Sequence, residues 1–414
     1  HLVSFPTETV YGLGANALNA KAVKSIFEAK GRPLTDPLIV HVSNITVAKS
    51  LTNISVDEMN LFSLLGTKFW PGPLTMIVKA IDELPLCVTA NTGFVGIRIP
   101  NHPLALDLLK ACNVPIAAPS ANRFGHVSPT KASHVYDDLG VNRNVSAIIS
   151  SDDHNACQHG IESTVMKVDV GKREIAILRQ GAISCEQITD VVNNIENAAI
   201  LDGWKWTVKV IVRHVDMQAA NSSMKTNTWS EGKDQKEETG APTPPSTGQV
   251  APGQAITHYA PDNGICFICR SVGIEGDFSD KGIANSQMWD LTSEELSKTV
   301  VIDFHNQWGY LSGDSDTSRH TVNAGSSRRA VLAYKDLSVS GSHVEAARNL
   351  FDTLRWAEQV DSVKYIALTS VLDRLDTSLI ESTSTPTASE GSDIKYGLYD
   401  RLYRAASGKE IRLN

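Results

Sequence analysis

Between residues 216 and 254 the chain lacks the material for a core. The run SSMKTNTWSEGKDQKEETGAPTPPSTGQVAPGQ is rich in Ser, Thr, Gly and Pro and nearly free of aliphatic side chains. Such a stretch buries too little apolar surface to offset the entropy of ordering it, so it reads as a linker. Before it, strand-like runs (HLVSF, PLIVHV, LTMIVKA, VGIRIP, VPIAA, STVMKV, IAILR) alternate with amphipathic stretches such as AKAVKSIFEAK and HPLALDLLKAC, which predicts α/β. After it, GICFICR, TVVIDFH, RRAVLAYK and VKYIALTS predict four more strands, with helices near 343–360 and 396–407. The expected division is a first domain over 1–214, a polar linker over 215–261 and a smaller α/β domain over 262–414. A second polar run, SLIESTSTPTASEGSD, interrupts the last crossover and reads as a loop.

Charge separates the two halves further. Residues 1–214 hold 19 Lys and Arg against 19 Asp and Glu, so the net charge of −8 falls entirely on the second half. An acidic second half argues against a broad nucleic-acid footprint there, since phosphate binding needs clustered cations. With 42% hydrophobic and 20% charged residues the chain reads as globular. No run approaches the roughly 18 apolar residues of a membrane span, so no membrane association is expected. The six scattered cysteines suit a reducing compartment, and the expected address is cytoplasmic, although a missing N-terminal segment could add another. Cys266 and Cys269 have CxxC spacing inside an apolar run without a second pair, which reads as buried strand thiols.

The opening PTETVYGLGANA reads two ways. Gly12-x-Gly14-x-x-Ala17 after an apolar run loosely fits a dinucleotide fingerprint, whose acidic residue would stand about twenty positions on, after the next strand. Asp36 has the distance but precedes the strand PLIVHV, which disfavours that reading. The hydroxyls and carboxylate of Thr7, Glu8 and Thr9 are the alternative working part, with the glycines as a tight strand-to-helix turn. No P-loop and no G-x-S-x-G elbow occurs, and His154-x-x-Cys157-x-His159 lacks a fourth zinc ligand.

Lys30-Gly31-Arg32-Pro33 places a point charge and a forked guanidinium just after a helix. That pair either clamps a phosphate or carboxylate or complements the helix C-terminal dipole. His41, near a strand end, reads as a core histidine as readily as a catalyst. The segment APSANRFGHVSPT offers Ser120, Asn122 and Ser128 as neutral donors and acceptors, with Ser128 expected to cap a helix whose N-terminus would suit an anion. Glu162-Ser163-Thr164 and Leu178-Arg179-Gln180-Gly181 put hydroxyls and an arginine near further strand ends.

Taken in order, PTETVYGLGANA, KGRPLTDPLIVHV, WPGPLT, RIPNHP, APSAN with SPT, ESTV and LRQG resemble the YrdC-like domain of the threonylcarbamoyl-AMP synthase family across about the first 200 residues. APGQAITHYAP at 251–261 resembles the linker that precedes the second domain of the family's long members. The resemblance implies an open, twisted YrdC-like sheet with a concave cavity, followed by a smaller Rossmann-like α/β domain. It implies the use of ATP, L-threonine and bicarbonate, with Mg²⁺ accompanying ATP, to make threonylcarbamoyl-AMP and pyrophosphate for tRNA t6A37 modification. A downstream tRNA threonylcarbamoyl-transfer complex would be the partner; direct tRNA binding is left open.

Carried over by motif, the resemblance assigns Thr9, His41, Arg98, the backbone at Ala118, and Ser163 to threonine. It assigns Arg32, Asp36, the backbone at Phe94, Ser120, Asn122, Ser128 and Arg179 to ATP, and gives Lys30 and Arg32 the catalytic charge. Pro252, His258 and Tyr259 would form a lid. The chain departs from the family at Gln180, where proline is usual, at Phe94, where a small polar residue is common, and in its longer linker. A hydrogenase-maturation carbamoyltransferase, which would bring paired CxxC motifs, and a non-enzymatic RNA-binding module are the alternatives.

Overall fold

The computed structural model describes residues 1–140, 145–151, 157–197, 200–201, 203, 205–211, 249, 251–252, 259–271, 293–308, 331–371 and 392–413. The first 210 residues run β1 (Leu2–Phe5), β2 (Gly12–Asn16), α1 (Ala20–Lys30), β3 (Ile39–His41), α2 (Ile45–Ser50), α3 (Val56–Phe69), β4 (Leu74–Lys79), α4 (Leu86–Thr89), β5 (Phe94–Arg98), α5 (Pro103–Cys112), β6 (Ile116–Ala117), α6 (Ala132–Leu139), β7 (Val145–Ile148), β8 (Thr164–Asp169), β9 (Glu174–Arg179), α7 (Cys185–Asn193) and β10 (Thr207–Val210). They build one ten-stranded mixed sheet in the order β10-β9-β8-β4-β5-β3-β6-β2-β1-β7. The second part runs β11 (Ile265–Ser271), α8 (Ser293–Leu296), β12 (Thr299–Asp303), β13 (Ala333–Asp336), α9 (His343–Glu358), β14 (Tyr365–Thr369), α10 (Ser392–Ala405) and β15 (Glu410–Leu413). Its sheet, β13-β12-β14-β11-β15, is parallel at every pairing.

Local chemistry accounts for the helices that matter most here. Asn19 caps α1 by accepting from Ala22 N, and Val23, Ile26 and Phe27 bury one stripe. Ser342 caps α9 in the same way, and Ala346, Leu350, Phe351, Leu354 and Ala357 form its buried face. Helix α10 begins at Ser392, a turn earlier than the sequence pattern suggests. In β11, Cys266 packs on one face of the sheet and Cys269 on the other, so neither can join the other at a metal. Burial pushes the Cys266 thiol up to about 12. The runs at 378–391 and most of the 216–254 linker lie outside the described residues.

The glycines of the opening motif are not a strand-to-helix turn. Gly12–Asn16 is a strand of its own, antiparallel to β1 with Val3 opposite Gly14 and Phe5 opposite Gly12. A Cβ on Gly14 would come within 2.9 Å of both Ile116 Cγ2 and Phe5 Cε1, so its place in the sheet requires the missing side chain. The chain reverses earlier, at Thr7, whose hydroxyl donates to Val10 O at 2.6 Å and accepts from Val10 N at 3.2 Å.

The two parts are docked. Val10, Val127, Ile161 and Tyr259 share one apolar cluster with α9, α10 and the second sheet. Gly160 (φ 68°) lies so close under α9 that a Cβ would stand 2.3 Å from Arg348 Cα. Arg355 of α9 pairs with Asp138 of α6 at 2.9 Å and donates to Val127 O. His126 sits between Asp138 (2.8 Å) and Glu358 (3.0 Å), with Asp262 at 3.8 Å and Arg355 nearby. Burial by itself would lower the His126 pKa, but the hydrogen bonds to Asp138 and Glu358 outweigh burial and the Arg355 charge, raising it to about 8.

A pKa raised on folding from 6.5 to about 8 means that this contribution to stability is full below about pH 6.5 and is lost as pH rises through 8. The expected result is a thermal midpoint that falls between those limits and a shallower fall in His126→Gln. Equal slopes in the two proteins would contradict the assignment.

Candidate active site

Strand order brings distant motifs to one place. His41, at the end of β3, lies in register with Arg98 of the parallel β5 and opposite Ile116 of the antiparallel β6. Thr164 opens β8 beside Leu74 of β4, while Arg179 closes β9 opposite Val165. Between these strand ends and the 7–12 segment lies a cavity. Its lining includes Thr7, Thr9, Arg32, His41, Arg98, Ala118, Ser120, Glu162, Ser163, Arg179, Pro252 and Tyr259. Crevices outside strand ends where the order reverses are where open α/β sheets place ligands.

Three buried arginines line this cavity, and all are held in one manner. Arg32 donates from Nε to Asp36 O (3.2 Å) and from Nη2 to Pro37 O (2.8 Å), and pairs with the Asp36 carboxylate at 3.0 Å. Arg98 donates from Nε to Gly72 O (3.3 Å) and from Nη2 to Thr9 Oγ1 (2.9 Å), with Glu8 at 2.8 Å. Arg179 donates from Nε to Ser163 O and from Nη2 to Ser163 Oγ, both at 3.1 Å. In each, Nε and Nη2 fix the plane of the fork, and no bond within the described residues occupies Nη1. Rigid guanidiniums with an uncommitted edge are suited to polyanions and carboxylates.

The other polar groups set up this array. Thr9 shares a 2.9 Å hydrogen bond with Thr7, which ties the turn, and Glu8 pairs with Arg98, so all three positions of the opening motif act on one arginine. Ser163 Oγ lies 2.8 Å from Thr75 Oγ1. His41 is neutral: burial, reinforced by the charge of Arg98, pushes its pKa down to about 3. Lys30 donates to Ser120 O at 2.7 Å and to Asn122 O, so it joins the end of α1 to the APSAN loop and does not serve its helix carbonyls. Burial, then Arg32, lowers its pKa well below the usual lysine range.

Several residues singled out from the sequence stand behind the cavity instead of in its wall. Asp36 anchors Arg32, and Asn122 accepts from Ser120 Oγ at 2.5 Å while donating to His126 O at 2.8 Å. Phe94 lies half-buried at the start of β5 under Lys167 Nζ, 3.5 Å from its ring centroid. Ser128 does not cap a helix: α6 begins at Ala132 after Lys131, which makes no side-chain cap, and Ser128 Oγ donates to Glu162 Oε1 at 2.6 Å. The capping pattern failed because a buried carboxylate 34 residues away competes for that hydroxyl. His258 and His154 lie outside the described residues.

Pro252 and Tyr259, from the two described ends of the 251–261 motif, both line the cavity. Gln249 N, just before this motif, donates to Thr35 O (2.8 Å), and Ala260 N, near its end, donates to Gly125 O (3.1 Å). Burial and the Glu162 charge push the Tyr259 hydroxyl up to about 12. Glu162 is a lining residue with no periodicity to mark it; its position directly before Ser163 was the available signal.

Comparison with known proteins gives this geometry a family. The family described as "Telomere recombination" matches residues 1–181, and "Threonylcarbamoyl-AMP synthase, C-terminal domain" matches 183–407, more than half of the chain. The chain belongs to the threonylcarbamoyl-AMP synthase family. It is 40% identical over 263 residues to a threonylcarbamoyl-AMP synthase of Bacillus subtilis, covering 63% of this chain and 61% of that protein. It is 42% identical over 194 residues to the synthase of Pyrococcus abyssi, covering 47% of this chain and 54% of that protein. The matched part thus spans less than two thirds of either relative. Across the fold, it is similar to the crystal structure of P. abyssi Sua5 complexed with L-threonine, with a TM-score of 0.65, 26% identity, and coverage of 100% of this chain and 92% of that one. That likeness extends over both sheets. Among the described residues no helix is long and apolar enough to cross a membrane.

Proposed function

We propose that this chain is an L-threonylcarbamoyl-AMP synthase, which converts L-threonine, bicarbonate or CO₂, and ATP to threonylcarbamoyl-AMP and pyrophosphate. The observation that carries the reading is the array of Arg32, Arg98 and Arg179, each anchored at Nε and Nη2 with Nη1 uncommitted among the described residues, around one cavity that also holds Thr9, His41 and Ser163. Membership of the family and the likeness to a threonine-bound relative support it.

The chemistry fits these residues. Threonine's amine takes up CO₂ as a carbamate, a carbamate oxygen attacks the α-phosphorus of ATP, and pyrophosphate leaves. Little covalent work falls to the protein, so orientation and charge stabilisation are what the site must supply. Arg98 with Thr9, and Ser163, receive the amino acid; neutral His41 adds a donor and an acceptor without adding charge. Arg32 and Arg179 neutralise the phosphates, and Lys30 holds the Ser120–Asn122 loop against the nucleotide. Tyr259 and Pro252 restrict water, which protects a labile mixed anhydride. Mg²⁺ enters with ATP as its counter-ion. Glu162, the carboxylate in the lining, has its oxygens committed to Ser128 and Arg401, so the described residues of the lining offer the ion no ready carboxylate ligand. The product would pass to a threonylcarbamoyl-transfer complex acting on adenosine 37 of tRNA.

Pyrophosphate release from ATP should require both threonine and bicarbonate. Release that continues at full rate when either is omitted would refute the proposal.

A further inference from the structure

Helix α10 of the second domain presses on the wall of the cavity. Arg401, with 0% exposure, donates from Nε to Glu162 Oε2 at 3.1 Å, from Nη1 to Gln180 O, and from Nη1 to Asp400 at 3.2 Å. Its guanidinium lies 5.8 Å from the centre of the Tyr259 ring. One turn earlier, Gly397 lets the helix backbone approach closely: a Cβ there would stand 3.2 Å from Ile161 Cδ1 and 3.4 Å from Gly181 O. Glu162 and Gln180 are the chain neighbours of Ser163 and Arg179, the pair joined by two 3.1 Å hydrogen bonds in the cavity wall. A single guanidinium, 239 residues beyond Glu162 and 221 beyond Gln180, thus grips the chain beside both members of that pair.

We propose that Arg401 is a positioning residue supplied by the second domain, which sets the Ser163–Arg179 pair through Glu162 and Gln180. The inference deepens the synthase reading above and rests on it. It makes the second domain a part of the catalytic apparatus: the threonine-side hydroxyl and the phosphate-side arginine are set in place when α10 docks. A buried ion pair is weak evidence for stability by itself. Here the fork also reaches a backbone carbonyl on the other strand, which is a geometric function that a point charge cannot duplicate.

Arg401→Lys keeps the charge opposite Glu162 but not the fork, and Gly397→Ala keeps every charge while adding a methyl 3.2 Å from Ile161 Cδ1 and 3.4 Å from Gly181 O, a crowding relieved by a few tenths of an ångström at this contact. With the full chain, Arg401→Lys should raise the KM for threonine at least about tenfold, and Gly397→Ala should shift it in the same direction by a smaller factor. Amide exchange in the ligand-free protein should quicken selectively at 162–165 and 178–181 in both variants. The proposal is overturned if the folded variants keep KM and kcat within about twofold of the parent, or if kinetics change while exchange in those two segments does not. A parent chain without threonine-dependent pyrophosphate release would refute the synthase reading instead, so the two failures are distinguishable.

Discussion

Arg32→Ala is expected to lower threonine- and bicarbonate-dependent pyrophosphate release by about 10²–10³-fold, the range seen when one preorganised electrostatic donor is lost from a water-poor site. Arg32 is 8% exposed, and two carbonyls and the Asp36 carboxylate fix its guanidinium before any ligand arrives. A ligand phosphate therefore meets a charge that needs no reorganisation. Arg32→Lys should recover only part of the rate, since an ammonium cannot satisfy Asp36 and the 36–37 backbone while presenting a free edge. The comparison needs both kcat and KM for ATP, because a loss confined to KM would mean that Arg32 binds ground state and transition state equally. Release within about threefold of the parent in Arg32→Ala would show that the phosphates lie elsewhere.

Arg98→Met should affect stability as well as activity. Glu8, Thr9 and Gly72 O all converge on this arginine, and Glu8 is 2% exposed. Removing the cation leaves a carboxylate buried without compensation, which costs roughly 3–5 kcal/mol. The pair Arg98→Met with Glu8→Gln should recover most of that loss, since a neutral pair of similar volume carries no ion to desolvate. Threonine dependence should stay abolished in both proteins. Denaturant unfolding with a threonine titration separates the two effects; a double variant that regains threonine dependence would remove Arg98 from the amino-acid site.

Asn19, the Val23-Ile26-Phe27 stripe and Lys30-Gly31-Arg32 specify, within fourteen residues, a capped helix with one cation at its end and a second just beyond it. That information is local, and so it was legible. The sequence does not mark Gly12–Asn16 as a strand, because glycines signal a turn and a close approach equally well and only the positions of Ile116 and Phe5 decide between them. Ser128 has the composition of a cap, yet its hydroxyl goes to Glu162.

By itself the sequence determined the α/β alternation and the residue types that meet ATP and threonine chemistry in the family it resembles. Those follow from periodicity, composition and short motifs, all carried by neighbouring residues. Tertiary structure alone decided that His41 stands beside Arg98, that each arginine is pinned through two nitrogens, and that Arg401 closes on Glu162. The reason is physical: strand order and domain docking join groups up to 239 residues apart, and a buried charge selects its partner by distance and desolvation, which no local pattern records.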